Sequence, residues 1–333
     1  MKTRRLGRSD LHVSELCLGT GNFGWSIDEG TSFDLLDAFR GAGGNFIQTG
    51  GAASAEADVA ASYLGRWLRA SGGPRGDLVL AARLDVADED GTSDIFRTAS
   101  SIRRRCEASL RQLGVRHLDL LMLAWSEHLA MDEVLLAAET LVRAGLVRHF
   151  AVSGFPAWRV MEWIAHSARR NLCRIEVMQV ELSLLSNAGL DLEAIALARA
   201  HRVGLVAQAP LARGLLAGGA PSGPAAISRP ETLVALRQIA DAHGTGPGRV
   251  AVAWVLAHPD VSSVLIGPRS VAQLEEHLAA ASLGLTFSQL RRLDGLWRAT
   301  AGPAIDDDDD ETFFADNEAV ELLQPQHSEN LIV

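Results

Sequence analysis

The segment GNFIQTGGAASAE, residues 44–56, decides how the fold is interpreted. It runs from a short apolar stretch at 45–47 into a loop of Gly, Ala and Ser, and then into a helical pattern at 54–70. A buried strand that leads through a loop into a helix is the repeating unit of parallel α/β proteins. Such proteins often carry their binding and catalytic groups at the carboxyl ends of the strands. The loop after residue 47 is therefore the first candidate for a functional site.

The alternation of strand and helix continues along most of the chain. Residues 3–14 are predicted to form a hairpin around the turn sequence GRSD. Helical patterns then separate eight apolar stretches, and eight strand–helix units over about 290 residues predict an α/β protein, a (β/α)8 TIM barrel spanning 1–300. Besides 45–47, the predicted strands are 15–18, 78–82, 117–123, 150–153, 175–180, 205–208 and 261–266.

The end of the chain has a different composition. The run DDDDDE at 306–311 predicts a solvated C-terminal extension over 301–333, because like charges repel one another. The apolar residues that follow the run leave a second interpretation open, in which the extension folds back over the barrel mouth.

Composition and charge exclude several classes of protein. With 47% hydrophobic and 22% charged residues, the 333-residue chain has a globular composition. Its net charge of −10, with scattered basic residues, argues against a nucleic-acid partner. No apolar run approaches the ~20 residues of a membrane span. No apolar core follows the basic N-terminus as it would in a signal peptide. We therefore expect a cytoplasmic protein without a membrane partner.

Counts of reactive residues restrict the chemistry. The three cysteines are widely spaced and are expected to be reduced, and no Cys/His pair has zinc spacing, so no metal site is predicted. The chain has one tyrosine, Tyr63, and one lysine, Lys2. Tyr63 shares an apolar helical stripe with Val59 and Trp67, and Lys2 is terminal. A mechanism that needs a Tyr–Lys pair would have to use these two residues.

Five further segments, in order, resemble the bacterial aldo-keto reductases. They are RRLGRSDLHVSELCLGTGNFG (4–24), SLRQLGVRHLDLLML (109–123), AGLVRHFAVSGF (144–155), APLARGLLAGG (209–219) and IGPRSVAQLEEHLAA (266–280). The segment at 44–56 resembles the second strand and loop of that family. The resemblance implies the aldo-keto reductase type of TIM barrel and the transfer of hydride from NADPH to a carbonyl group.

In that family an Asp, a Tyr, a Lys and a His form the catalytic tetrad. The matching positions of this chain are Gln48, Ala53, Arg83 and Ala124. The alanines donate neither a proton nor a hydrogen bond from their side chains, and the pKa of arginine stays above about 12. The resemblance therefore predicts a diverged member that does not carry out the standard reduction.

Other side chains could replace the lost groups. Trp125 and His128 follow the fourth strand on the expected catalytic face, and a His beside Glu127 could do acid–base work. Gln48 could hydrogen-bond a substrate carbonyl, and Arg83 retains a cation. The candidate catalytic residues are thus Gln48, Arg83, Trp125 and His128. The alternatives are a solvated loop at 125–128 and a structural role for Gln48.

The resemblance also implies a site for NADP(H). The segment at 266–280 matches the loop and helix start that hold the adenosine 2′-phosphate, although His277 replaces the Asn that meets the adenine. A helix N-terminus with an arginine is a common anion site. Gln208 replaces the aromatic residue that stacks on the nicotinamide. The predicted cofactor-binding residues are Gly19, Thr20, Ser153, Gly154, Gln179, Gln208, Leu211, Arg213, Gly267, Arg269, Ser270, Gln273, Glu276 and His277.

Three functions remain open at this level. The first is a diverged protein that binds a small carbonyl-bearing metabolite at the barrel mouth, with NADP(H), and catalyses a non-standard or non-redox step such as cyclisation, dehydration or isomerisation. The second is a catalytically silent barrel that acts as a binding or regulatory subunit. The third is an NADPH-dependent carbonyl reductase with an unorthodox proton source.

Overall fold

The computed structural model describes residues 1–50, 55–71, 75–84, 99–126, 129–186, 192–219 and 229–298. Eight parallel strands close into a barrel in the order β10-β3-β4-β5-β6-β7-β8-β9. They are β3 (Leu16–Gly19), β4 (Phe46–Gly50), β5 (Val79–Leu84), β6 (Leu118–Ala124), β7 (Val147–Ser153), β8 (Ile175–Glu181), β9 (Gly204–Gln208) and β10 (Val261–Ile266). The predicted (β/α)8 barrel is confirmed.

Helices alternate with these strands and surround the barrel. The described helices are α1 (Glu29–Gly41), α2 (Ala55–Ala70), α3 (Ala99–Leu113), α4 (Met131–Arg143), α5 (Ala157–Arg170), α6 (Leu192–His201), α7 (Pro230–Ala242), α8 (Pro247–Ala257), α9 (Val271–Ala280) and α10 (Phe287–Arg298). None of them is long and apolar enough to cross a membrane. The predicted C-terminal extension, 301–333, lies outside the described residues.

Two apolar cores follow from the alternation of side chains along each strand. One core lies inside the barrel and contains inward-facing residues such as Phe46, Ala81 and Met122. The other lies between the barrel and the helices and contains their sequence neighbours, such as Ile47 and Leu121. Since successive residues of a strand point to opposite faces, the inner core reveals which later residues of each strand face the barrel axis.

The N-terminal hairpin, β1 (Thr3–Arg5) and β2 (His12–Ser14), closes the amino-terminal end of the barrel. Leu6, Leu11 and Val13 of this hairpin belong to the inner core. Gly7 adopts a φ of +60°, and a Cβ there would lie 2.6 Å from the backbone of β8 and β9. The hairpin therefore seals one end, and the opposite end, at the carboxyl ends of the strands, forms the mouth.

One strand is longer than predicted. Strand β7 begins at Val147, three residues before the predicted start at 150, and the added residues include Arg148 and His149. Arg148 and His149 both contact Asp10 of the hairpin turn, at 2.6 and 2.7 Å. Hydrophobic periodicity cannot detect this strand start, because its polar side chains are paired with a distant carboxylate.

A buried carboxyl group in α10 predicts how stability depends on pH. Asp294 accepts a hydrogen bond from Trp254 Nε1 at 2.8 Å, and burial raises its pKa to about 6. Because the folded state holds this proton more tightly than the unfolded chain, stability should fall as pH rises from about 4 to about 6. We expect Asp294→Asn to remove about 3 kcal/mol of this dependence. Urea unfolding of the wild type and the variant across pH 4–7 measures the free energy of unfolding at each pH. Identical pH profiles for the two proteins would contradict this prediction.

Candidate active site

The mouth of the barrel is ringed by inward-facing residues at the ends of the strands. Each lies two residues beyond a member of the inner core, so strand alternation directs its side chain toward the barrel axis. Strands β4, β5 and β6 contribute Gln48, Arg83 and Ala124, and β7 and β8 contribute Ser153 and Gln179. Register places Ala124 beside Ser153 and Ser153 beside Gln179. The structure therefore brings the predicted positions from five strands to one end of the barrel.

A pair of buried amides crosses this mouth. Gln179 Nε2 donates to Gln48 Oε1 at 2.9 Å, and Gln48 Nε2 donates to Gln179 Oε1 at 3.4 Å. Their strands lie on opposite sides of the barrel, separated by three strands in each direction. Gln48 is 4% exposed and Gln179 is 1% exposed. Each amide thus satisfies hydrogen-bonding groups of the other amide, and the pair forms the floor of the mouth.

The remaining candidate catalytic residues have different surroundings. Arg83 is half-buried at the inner face of β5. Trp125 is half-buried after β6, and its ring meets the edge of Phe155 with centroids 5.0 Å apart. The guanidinium of Arg159 lies 5.6 Å from the Trp125 ring. Trp125 is therefore one wall of the mouth, fixed by aromatic and cation–π contacts. The predicted residue His128 lies outside the described residues.

The only tyrosine and the only lysine of the chain are not part of this ring. Tyr63 is half-buried on α2, outside the barrel, with the Arg66 guanidinium 5.0 Å from its ring centroid. Lys2 pairs through its backbone with Glu15, just before β3 begins at the hairpin-closed end of the barrel. A phenol and an ammonium group therefore do not meet at the mouth.

The predicted cofactor-binding residues occupy one continuous arc. They come from the ends of β7, β8, β9, β10 and β3, which are consecutive neighbours in the closed barrel. The candidate catalytic residues Gln48, Arg83 and Trp125 come from β4, β5 and the end of β6, which complete the circle. A trough along one arc that faces reactive groups on the other arc is a geometry suited to a bound cofactor and a substrate.

The start of α9 combines a capped helix N-terminus with an exposed arginine. Ser270 caps the helix, since its hydroxyl accepts a hydrogen bond from the Gln273 backbone N–H at 3.3 Å. Gln273 Oε1 in turn accepts from the Arg269 backbone N–H at 2.8 Å. The Arg269 side chain is exposed and has no ion-pair partner among the described residues. The positive end of the helix dipole and an exposed arginine therefore occur at the same end of α9.

Two other predicted residues of α9 are engaged elsewhere. Glu276 forms a bidentate ion pair with Arg249 of α8, at 2.6 and 3.2 Å. His277 is largely buried, and burial lowers its pKa to about 4, so its imidazole is neutral at pH 7. The ion pair of Glu276 joins α9 to α8 and leaves Arg269 as the exposed cation of this segment without an ion-pair partner among the described residues.

Sequence reasoning missed two features of the trough. Asn22 Nδ2 donates to the carbonyl oxygen of Gly267 at 2.9 Å and ties the loop after β3 to the loop after β10. In the loop after β9, Ala209, Ala212 and Arg213 adopt left-handed φ values of 55°, 47° and 59°. Strained non-glycine residues often cluster at functional sites. The sequence carried a weak signal for the Asn22 hydrogen bond, because Asn22 is a polar residue within GTGNFG. It carried no signal for the left-handed residues after β9.

No metal centre is found within the described ranges, where no three His, Cys, Asp or Glu residues are grouped as metal ligands. Cys17 and Cys106 are buried, Cys173 is half-buried, and all three are free thiols. Burial raises the pKa of Cys106 and Cys173 to about 12, so these thiols are poor nucleophiles.

A closed barrel of eight parallel strands that alternate with helices defines a TIM-barrel protein. The chain belongs to the aldo/keto reductase family, whose model matches residues 15–298. It is similar to the uncharacterized oxidoreductase YrpG of Bacillus subtilis, with 32% identity over 91% of this chain and 98% of the relative.

More distant relatives agree with this assignment. The norsolorinic acid reductase stcV of Emericella nidulans is 28% identical over 85% of this chain and 78% of that protein. Among solved structures, the thermostable aldo-keto reductase Tm1743, determined with the inhibitor epalrestat, has the same fold. The TM-score is 0.74 at 24% identity, covering 89% of this chain and all of that one.

The amide pair yields a prediction about coupling. Replacing either Gln48 or Gln179 with methionine should cost about 1–3 kcal/mol, because the other amide is left buried without its partner. The double replacement should cost less than the sum, by about 1 kcal/mol or more. Urea unfolding of the four proteins measures this cycle. Additive losses would show that the two amides do not stabilise each other.

Proposed function

We propose that this barrel binds a small carbonyl-bearing metabolite at its mouth and catalyses a non-redox step, such as isomerisation, dehydration or cyclisation. The observation that carries the proposal is the amide pair of Gln48 and Gln179 across the floor of the mouth. An uncharged amide holds the position that a carboxylate holds in the reductases that this chain resembles. The carboxylate that supports the general acid in those enzymes is therefore absent here, and the position of the general acid itself is Ala53.

The groups that remain suit the stabilisation of negative charge. Arg83 supplies a cation at the inner face of β5, within the same ring as the amide pair. Hydrogen-bond donors and cations aimed at a carbonyl oxygen stabilise an enolate-like oxyanion. Isomerisation, dehydration and cyclisation of carbonyl compounds can pass through such a species. Forming this species by removing a proton from carbon needs a base, for which His128 is the candidate in the sequence.

The two ends of the proposed NADP(H) site differ in how well they fit the cofactor. The residues of the phosphate end suit an anion, since the exposed Arg269 directly precedes the N-cap of α9 and has no ion-pair partner among the described residues. The nicotinamide end does not fit as built. Gln179, the residue expected to bind the nicotinamide carboxamide, already satisfies its amide with Gln48. NADP(H) would therefore be held mainly by its phosphates, and the proposed reaction does not use its nicotinamide ring.

A second candidate is an NADPH-dependent carbonyl reductase with an unorthodox proton source. The names of the curated relatives favour it, because they include oxidoreductases and norsolorinic acid reductases. The half-buried wall of Trp125 and Phe155 suits a planar or apolar substrate in either candidate. The two candidates differ in whether NADPH is consumed.

Binding of the cofactor can be tested by titrating NADPH and NADP⁺ into the protein, with tryptophan fluorescence as the signal. We expect micromolar binding that Arg269→Ala weakens about 10- to 100-fold, the range of charge-assisted contacts to phosphate. Arg237→Ala is the matched control, since it removes the same charge from an exposed position on α7. Absence of binding at millimolar concentration, or equal loss in the two variants, would overturn the cofactor part of the proposal.

A further inference from the structure

A basic cavity lies at the end of the barrel opposite the mouth. Its volume is about 440 Å³, within the ~300–1,000 Å³ range of small-molecule sites. The last turns of α1 and α2, the turn before β5 and the loop between α3 and β6 surround it. Five cationic or titratable basic side chains line it: Arg40, Arg69, Arg75, Arg116 and His117. No residue of the amide pair or of the start of α9 takes part.

Positive charge at this cavity is poorly compensated. Arg40, Arg69 and Arg116 form no ion pair with any described residue. Arg75 pairs with Asp119 at 3.0 Å, but Asp119 also pairs with Arg148 at 2.9 Å. The described lining of the cavity contains no carboxylate. For a chain with a net charge of −10, this local excess of cations is a property of the site and not of the composition.

Local geometry keeps the cations close together. Gly114 has a φ of +67°, and a Cβ at this position would lie 2.6 Å from Arg69 Nη1. The missing side chain leaves room for the Arg69 guanidinium at the cavity, which Arg116 also lines. Arg75 Nε is buried without a hydrogen-bond partner. Burial lowers the pKa of His117, and the Arg75 charge lowers it further, as expected where positive charges are crowded.

Apolar groups complete the cavity. Leu68 and Val115 are half-buried and Leu78 is buried, and all three line the same space as the arginines. A planar guanidinium binds phosphate oxygens in a bidentate manner, which a single ammonium cannot do. Arginines beside a short apolar wall match the chemistry of a phosphorylated small molecule, with a charged end and a carbon skeleton.

We propose that this cavity is a second ligand site, which binds a small phosphorylated metabolite through Arg69, Arg75 and Arg116. The carbon part of the ligand lies against Leu68, Leu78 and Val115. The site is independent of the cofactor trough, since it is formed at the opposite end of the barrel. A ligand that bridges α2, the turn before β5 and the loop before β6 stabilises the folded state through mass action.

The test is calorimetric titration of inorganic pyrophosphate into the full-length protein at two salt concentrations. We expect micromolar binding that weakens at high salt. The double variant Arg69→Gln/Arg116→Gln should weaken it about 100-fold, as expected for two lost charge-assisted contacts. Arg104→Gln/Arg237→Gln removes the same charge from exposed positions elsewhere and should leave the affinity unchanged.

Two further measurements separate this site from the cofactor trough. Arg269→Ala should retain pyrophosphate binding, because Arg269 lies at the mouth. Hydrogen exchange should slow at residues 114–118 when pyrophosphate is added. No binding up to millimolar concentration would overturn the proposal. Equal weakening by both double variants, or loss of binding in Arg269→Ala alone, would also overturn it.

Discussion

Replacing Asp119 with alanine is expected to destabilise the barrel by about 3 kcal/mol, the cost of breaking a buried ion pair from one side. Asp119 is 3% exposed at the start of β6. It accepts hydrogen bonds from Arg75 Nη2 at 3.0 Å, Arg148 Nη1 at 2.9 Å and the Leu80 backbone N–H at 2.9 Å. One carboxylate thus joins three neighbouring strands. Its loss leaves the Arg75 guanidinium and the buried Leu80 amide without this acceptor, whereas Arg148 keeps its pair with Asp10.

Urea unfolding measures this loss, and Asp132→Ala provides the control. Asp132 also pairs with an arginine, Arg170, at 2.7 Å, but its side chain is 67% exposed. An exposed pair of this kind contributes about 0–1 kcal/mol, because water screens both charges. A loss below 1 kcal/mol in Asp119→Ala would show that the network at this end of the barrel is not cooperative.

Gly50→Ala should have the second-largest effect, a loss of about 2–4 kcal/mol. Gly50 ends β4 with a φ of +85°, a conformation that L-residues rarely adopt, and a Cβ there would lie 2.2 Å from the carbonyl oxygen of Arg83. An alanine would therefore displace the ends of both β4 and β5. These strand ends carry Gln48 and Arg83, so the geometry of the mouth should change together with stability.

Gly21→Ala is the matched control for this prediction. Gly21 also follows a barrel strand at the mouth, but its backbone is not left-handed and a Cβ there would meet no atom within 4 Å. Thermal unfolding should show a much lower midpoint for Gly50→Ala and an almost unchanged midpoint for Gly21→Ala. Equal midpoints would mean that the end of β4 adapts to a side chain without cost.

The sequence was sufficient to predict the barrel, because strands buried on both faces appear as near-continuous apolar runs. The runs at 78–82 and 261–266, for example, fall within or overlap β5 and β10. The start of β7 was missed because Arg148 and His149 interrupt the apolar pattern and are satisfied by Asp10, far away in the sequence. The periodicity of a local segment does not show that these two residues pair with Asp10.

The candidate site could be predicted less completely than the fold, because its contacts also join residues that are distant in the sequence. Strand ends could be predicted, and so could the residues on them. The partnership of Gln48 with Gln179 could not, because the two residues are 131 positions apart and meet only when the barrel closes. The basic cavity is similar, since Arg40, Arg69 and Arg116 come from three separate segments. Pairings across a closed barrel depend on shear and radius, which single segments do not specify.

The central claim is that this mouth does not support Tyr-dependent hydride transfer. The most direct test is to incubate the protein with NADPH and a panel of small ketones and aldehydes. NADPH absorbance and product mass are then followed together. We predict no NADPH consumption above the protein-free rate. Any product that forms should retain the mass of its substrate or have lost water. NADPH consumed one-for-one with an alcohol product would contradict the account and establish an unorthodox reductase.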